Sequence, residues 1–239
     1  MQKNICITGT DRGLGLALVK AFLDQDYHVF AGRLSSALEN LQELKQQFPG
    51  QLFTFTLDVA ADRSVEQARD LIAARTNWLD ILINNAGILG DVDTTIAGKL
   101  NCTEMLQVFN VNTLGALRVT NALYPLVAAG PTKLIVNISS EAASIHDCDR
   151  ESWFGYCMSK AALNMQSHLV HNMFRKEGGQ VLVFHPGWLQ TYMHGYKNTA
   201  ADYPPETAAA KLYKLIQKHT ASRSEKPLFL DVEGHTRSW

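Results

Sequence analysis

The chain has 239 residues, 46% of them hydrophobic and 19% charged, which suits one globular domain with a sizeable core, or at most two small ones. Its formal net charge of −1 gives no basic field for nucleic acid or an anionic membrane surface.

In chain order, Asn4 to Thr8 reads as a short apolar strand, and Thr8-Gly9-Thr10-Asp11-Arg12-Gly13-Leu14-Gly15 as a glycine-rich turn that opens a helix from Leu14 to Leu23. Glycines permit positive φ and let the backbone approach a ligand, and the helix N-terminus beyond them offers free N–H groups to a pyrophosphate. The spacing is GxxxGxG rather than GxGxxG, and a bare tight turn is the plainer alternative. Tyr27 to Ala31 is strand-like, Ser35 to Phe48 is helical and closed by Pro49-Gly50, Leu52 to Leu57 is a strand, and Arg63 to Ala74 is a helix. Ile81-Leu82-Ile83 is a compact apolar run that ends in Asn84-Asn85-Ala86-Gly87, where small residues let a nucleoside pack on the backbone. Thr103 to Leu123 is a long helical pattern with Asn112 and Gly115 near its centre, which suggests a kink or a buried hydrogen-bonding task for Asn112.

Leu134 to Ile138 is a strand closed by Ser139-Ser140, where a hydroxyl can reach a substrate oxygen or cap the next turn. A helix over Tyr156 to Met173 puts Tyr156 and Lys160, four residues apart, on one face. Alone, that spacing usually marks a solvated face. Beside a fixed ammonium, however, a phenol's pKa falls, and the pair can trade a proton with an alcohol or carbonyl oxygen. Val181 to Phe184 is a strand, Glu206 to His219 a helix, and Leu228-Phe229-Leu230 a last short strand. Strands alternating with helices predict an α/β fold: a single-domain, Rossmann-like, doubly wound parallel sheet of about seven strands with helices on both faces, spanning residues 1–239.

Cys6, Cys102, Cys148 and Cys157 form no CxxC pair and no ligand spacing, so they read as free thiols of a reducing compartment. His146, Asp147 and Cys148 read as clustered polar loop residues rather than a metal site, and no metal is expected. His168 and His171 read as helix-face residues, and Cys157 as a small core-facing one. The start lacks a signal-peptide pattern and no apolar run approaches a membrane span, so the expected location is cytoplasmic.

With these motifs the sequence resembles the short-chain dehydrogenase/reductase family over nearly its whole length. The matches are Thr8-Gly9-x-x-x-Gly13-x-Gly15, Asp58, Asn84-Asn85-Ala86-Gly87, Asn112, Ser140, Tyr156-x-x-x-Lys160 and Pro186-Gly187. Within the family it is most similar to the sniffer-like carbonyl reductases and the bacterial C-factor proteins. That likeness rests on Tyr156 to Asn164, His185-Pro186-Gly187-Trp188 with Thr191-Tyr192-Met193, and Phe229 to Gly234 with Trp239. It departs in two places: the Ser140-to-Tyr156 gap is longer than in typical members, though that branch carries such an insert, and Tyr192 stands where the branch usually has Asp.

The resemblance implies roles. Tyr156 donates a proton to the carbonyl oxygen; Lys160 lowers the Tyr156 pKa and holds the nicotinamide ribose. Ser140 polarises the carbonyl, with Ser139 as the alternative, and Asn112 helps order a water beside Lys160. Gly9, Asp11, Arg12, Gly13, Leu14, Gly15, Arg33, Asp58, Val59, Asn85, Ala86, Gly87, Pro186, Gly187, Trp188 and Thr191 join Tyr156 and Lys160 around the cofactor, with Asp58 at the adenine edge and Thr191 at the carboxamide. Cofactor choice is argued from the residues: the second strand runs into Arg33 with no acid for a ribose 2′-hydroxyl, and Arg12 lies in the glycine-rich turn. Two guanidinium groups suit a 2′-phosphate, so NADP(H) is expected rather than NAD(H). Trp153, Phe154, Trp188 and Met193 either line a substrate pocket or pack the core. Residues from Trp188 to about Tyr203 have the composition of a mobile lid. The expected activity is NADPH-dependent reduction of an aldehyde, ketone or quinone, with a small-molecule carbonyl or alcohol as partner and a homo-oligomer, dimer or tetramer, as the assembly. The alternatives are a dinucleotide-binding sensor or signalling protein without turnover, and an NAD-dependent alcohol dehydrogenase.

Overall fold

In the computed structural model, residues 2–35 and 39–239 are described, Glu39 by its backbone alone. Seven strands form one sheet: β1 (Lys3–Thr8), β2 (Tyr27–Arg33), β3 (Leu52–Thr56), β4 (Ile81–Asn84), β5 (Leu134–Ile138), β6 (Gln180–His185) and β7 (Leu228–Asp231). The spatial order is β3-β2-β1-β4-β5-β6-β7 and every pairing is parallel. Seven α-helices connect them: α1 (Gly13–Leu23), α2 (Glu39–Gln47), α3 (Asp62–Ala73), α4 (Cys102–Phe109), α5 (Ala116–Ala129), α6 (Phe154–Phe174) and α7 (Pro205–His219). The expected start of the second helix, residues 36–38, lies outside the described residues.

The strands are near-continuous apolar runs because both faces of the sheet are covered. Successive residues feed opposite layers. Ile5, Ile7, Val29, Ile81, Ile83, Val136 and Phe184 join α1, α2 and α7 in one core. Cys6, Phe30, Leu82, Ile135, Val183 and Phe229 join α3, α5 and α6 in the other.

The long helical pattern expected over Thr103 to Leu123 is three pieces. α4 and α5 are joined by a π-helical stretch, Asn110–Gly115, and α5 continues through Pro125 to Ala129. Proline removes one helical hydrogen bond. Leu123 and Val127, on either side of it, stay buried against the sheet and hold the helix across the gap.

The strand order reverses between β1 and β4, so the loops leaving their carboxyl ends diverge and leave a crevice there. Asn84, Asn137 and Thr120 brace the floor of this region: Asn84 Nδ2 donates to Thr120 Oγ1 (2.9 Å) and Asn137 Oδ1 (2.8 Å), and Asn137 Nδ2 donates to Ser167 Oγ (2.8 Å). No helix among the described residues is long and apolar enough to cross a membrane.

Candidate active site

The glycine-rich turn is as tight as its composition demands. Gly9 has φ +66°, and a Cβ there would lie 2.7 Å from Ala86 Cα; a Cβ at Gly15 would lie 2.0 Å from the Gly9 carbonyl oxygen. No side chain caps the N-terminus of α1, so the N–H groups of its first turn remain available to an anion. Asn85 is the stitch that closes the cradle rather than a free ligand contact. Its Nδ2 donates to the carbonyls of Thr8 (2.9 Å) and Gly9 (3.0 Å), while Thr8 Oγ1 accepts from the Asn85 and Ala86 N–H groups, both at 3.0 Å.

Asp11 is engaged within the protein through its side chain. Its carboxylate accepts from the N–H groups of Leu34 (3.1 Å) and Ser35, tying the turn to the loop after β2. Arg33, at the end of β2, donates through Nη1 to Ser35 O, but its Nε is buried without a partner among the described residues. Arg12 leans over the Tyr192 ring, 5.9 Å from its centroid. Asp58 is partly spent on its own turn, accepting from Ala60 N–H at 2.9 Å, and the Val59 carbonyl accepts from Arg118. The cradle, the uncapped helix end and the orphaned Arg33 nitrogen fit a dinucleotide with an anionic group near β2.

The reacting end lies beside β5 and α6. Ser139 is buried and donates its hydroxyl hydrogen to Asn164 Oδ1 at 2.7 Å. Ser140 lines one cavity with Tyr156 and acts to lower the pKa of its phenol. Lys160 is buried and donates through Nζ to Ile138 O at 2.9 Å. A Cβ at Gly87 would lie 3.2 Å from Asn112 Oδ1 and 3.5 Å from Lys160 Nζ, so the backbone after β4 closes onto both. Asn112 reaches this point because the π-helical stretch re-aims it. Its oxygen accepts from Ile88 N–H (2.8 Å) and its amide donates to Ile88 O (2.9 Å) and Ser159 Oγ (3.0 Å). Both amide hydrogens are therefore engaged in pinning the Ile88 backbone to α6.

The electrostatics of Tyr156 run opposite to expectation. Its phenol pKa is raised, first by burial and second by the negative charge of Glu141. Lys160 Nζ lies over the Tyr156 ring, 5.7 Å from its centroid, and burial lowers its own pKa to about 8. Glu141 is a residue of the cavity lining that motif reading missed. Arg150 Nη2 lies 2.7 Å from its Oε1, His185 Nδ1 lies 2.9 Å from its Oε2, and Ser140 Oγ donates to Oε2 at 2.8 Å. The His185 ring N–H is not aimed along that contact, so it is a close charge contact rather than an aligned hydrogen bond. The one signal in the sequence was an acid placed directly after Ser139-Ser140.

Ser140, Glu141, Arg150, Trp153, Tyr156, Trp188, Met193 and Tyr203 are among the residues that line a cavity of about 800 Å³. Trp153, from the insert, packs edge-on against Tyr156 with ring centroids 5.9 Å apart. Phe154 is not part of this lining. The segment after Pro186-Gly187 roofs the cavity and touches the cradle, since a Cβ at Gly13 would lie 3.2 Å from Thr191 Cγ2. The remaining titratable residues of interest lie elsewhere. His171 is buried rather than on a helix face, its Nδ1 accepting from Val181 N–H at 3.2 Å, and no group of three or more metal-binding side chains gathers among the described residues.

Comparisons with known proteins give the same picture. The family model described as short chain dehydrogenase matches residues 3–202. The chain is 32% identical to the C-signal protein of Myxococcus xanthus over 170 residues, 69% of this chain and 95% of that one. An NADPH-bound carbonyl reductase from chicken fatty liver superposes with a TM-score of 0.88 at 28% identity, over 100% of this chain and 99% of that one. A carbonyl reductase from Pseudomonas aeruginosa PAO1 in complex with NADP superposes with a TM-score of 0.84 at 26% identity over the whole of both chains. The cradle, the Tyr156–Lys160 helix and the match over residues 3–202 lead to one conclusion: the chain belongs to the short-chain dehydrogenase/reductase family.

Proposed function

We propose that the chain is an NADP(H)-dependent carbonyl reductase that converts an aldehyde, ketone or quinone to its alcohol. The observation that carries this reading is the meeting of Ser140 and Tyr156 in one aromatic-walled cavity next to the cradle. The NADPH- and NADP-bound carbonyl reductases that superpose on the whole chain support it. A bound nicotinamide would supply the hydride. The residues of the chain do the rest. The first-turn N–H groups of α1 and the Gly9 and Gly13 backbone hold the pyrophosphate, with Asn85 bracing the cradle. Arg33 and Arg12 take the 2′-phosphate by charge-assisted bonds. Asp58, Val59, Ala86 and Gly87 shape the nucleoside side, and Pro186, Gly187, Trp188 and Thr191 the nicotinamide side. Lys160 grips the ribose, Ser140 orients the carbonyl oxygen, and Tyr156 delivers the proton as the carbonyl carbon is reduced. The whole chain acts as one catalytic unit, and the exposed apolar faces of α4, α5 and α6 support a homo-oligomer.

A signalling protein without turnover is the second reading, favoured by the likeness to the C-signal protein. One experiment separates the two: consumption of NADPH, with NADH in parallel, against a panel of aldehydes, ketones and quinones by wild type and Tyr156→Phe. Wild type should turn over with NADPH preferred, and the variant, which keeps the ring, should lose roughly 10²–10⁴-fold in rate. A Tyr156→Phe protein as fast as wild type removes Tyr156 as the acid, and a wild type inert to the whole panel favours the signalling reading.

A further inference from the structure

Trp153 stands just before the first turn of α6, where a helix usually has a small polar residue in extended backbone. Here the residue is bulky and its backbone is left-handed, with φ +66° and ψ +25°. A large side chain is a rare occupant of that region, and such backbone persists where the surroundings dictate it, often beside a ligand. Asp26 and Lys133 share the positive φ, but of these three Trp153 is the one that lines the cavity. We propose that Trp153 is a specificity-determining residue: the insert projects its indole into the cavity beside Tyr156, where it selects substrates whose carbonyl carbon carries a flat aromatic group. The proposal rests on the reading above that this cavity holds a carbonyl substrate.

The indole is held from three sides. The Arg150 guanidinium lies over it, 5.2 Å from a ring centroid. Tyr156 meets it edge-on at 5.9 Å, and His194, from the roof, edge-on at 6.4 Å. The chain that delivers it is tied down around the ring. Ser152 Oγ donates to Val92 O (2.7 Å), Arg150 Nη2 lies 2.7 Å from Glu141 Oε1, and Trp153 O accepts from Cys157 N–H (2.9 Å). Even so, the indole is only half-buried, packed on the small cluster of Leu89, Ala142 and Tyr156. Strained backbone thus holds a large ring whose packing is unfinished on the cavity side. A flat group entering the cavity would finish it.

A carbonyl oxygen at the Tyr156 hydroxyl brings the group on the carbonyl carbon into the space that the indole borders. Trp188, Tyr196 and Tyr203 line other parts of the same cavity. Aromatic pairs gain beyond the area they bury, and a saturated ring of the same size lacks that gain. The resulting preference is roughly three- to tenfold.

The test compares kcat/KM for benzaldehyde and cyclohexanecarbaldehyde, six-membered rings of which one is flat, with NADPH as reductant. Dividing each variant's ratio by that of wild type cancels the intrinsic reactivities. Trp153→Asn removes the indole with a residue that tolerates left-handed backbone, Trp153→Leu keeps apolar bulk without aromaticity, and Trp153→Phe keeps an aromatic ring. The ratio should fall roughly three- to tenfold in Asn and Leu, mainly through a higher KM for benzaldehyde, and stay within about twofold of wild type in Phe. An equal loss for both aldehydes would make the indole a mere prop for Tyr156 and overturn the proposal. An unchanged ratio in Asn and Leu would overturn it too, as would a wild type that reduces quinones or ketones but not benzaldehyde. A wild type inert to every carbonyl compound would instead overturn the reductase reading, and this proposal with it.

Discussion

Lys160 is an ammonium placed where water cannot reach it, with a single hydrogen bond to Ile138 O. Burial lowers its pKa from an ordinary 10.5 to about 8. Between those two values the unfolded chain binds the proton and the folded chain does not, so stability rises with pH across the window. Below about pH 8 both states carry the charge, and the folded state bears the full cost of burying it; above 10.5 neither does. Wild-type stability, measured by urea unfolding, should therefore rise relative to Lys160→Met from about pH 8 to 10.5, and parallel curves would mean that Lys160 is hydrated in the folded protein. The Tyr156–Lys160 pair was legible because i, i+4 spacing needs only a helix to become a shared face. The sign of the field on Tyr156 was not legible. It depends on how the 3₁₀ turn at Glu141–Ala143 and the insert carrying Arg150 fold back, and no spacing rule encodes that.

At the scale of elements, periodicity located every strand and nearly every helix end to within a few residues, because the two-faced sheet demands continuous apolar runs. The π-helical stretch escaped it, since one extra residue per turn leaves no mark on a hydrophobic pattern; only the poor helix formers Asn110, Asn112 and Gly115 hinted at it. The roof of the cavity calls for a narrower view than its composition suggested. Its neck is already bonded: Gln190 N–H donates to Tyr203 O (2.9 Å), Tyr203 N–H to Trp188 O (3.1 Å) and Asn198 N–H to Thr191 O (3.0 Å). Tyr203 is further anchored through its hydroxyl to Glu233 at 2.8 Å. The free span is the tip, residues 192–197, where Tyr192 rests on Arg12 and His194 on Trp153. Addition of NADPH should therefore slow amide exchange at the tip much more than at the neck. Uniform protection from Trp188 to Tyr203 would mean that the whole segment moves, and no change at the tip would mean that nothing there closes.

At the scale of the whole molecule, the outer surface of α6 stands out for its exposed apolar side chains. Met158, Met165, Leu169 and Met173 are exposed along one stripe, at separations of seven, four and four residues that return to the same helix face. Leu106 on α4, Leu114 in the π-helical stretch and Leu117 on α5 extend the exposed apolar area. Tyr124 Oη, on α5, lies 3.2 Å from Met173 Sδ, so the α5 and α6 surfaces meet. Exposed apolar area of this kind marks an interaction site. A second copy of the same chain is the partner that symmetry makes simplest, since one self-complementary face suffices. The inner face of the same helix carries Tyr156 and Lys160, so covering the outer face would also hold the reacting pair in place. Leu169→Glu puts a carboxylate into the centre of the stripe, where Leu169 is 63% exposed and has little packing to lose in a single chain. Light scattering should find wild type as an assembly of two or four chains and Leu169→Glu as a smaller species. Melting temperature should fall with dilution in wild type but not in the variant, because assembly stabilises by mass action. A wild type that remains a single chain at high concentration would leave α6 to some other partner and remove the oligomer from the account of the site.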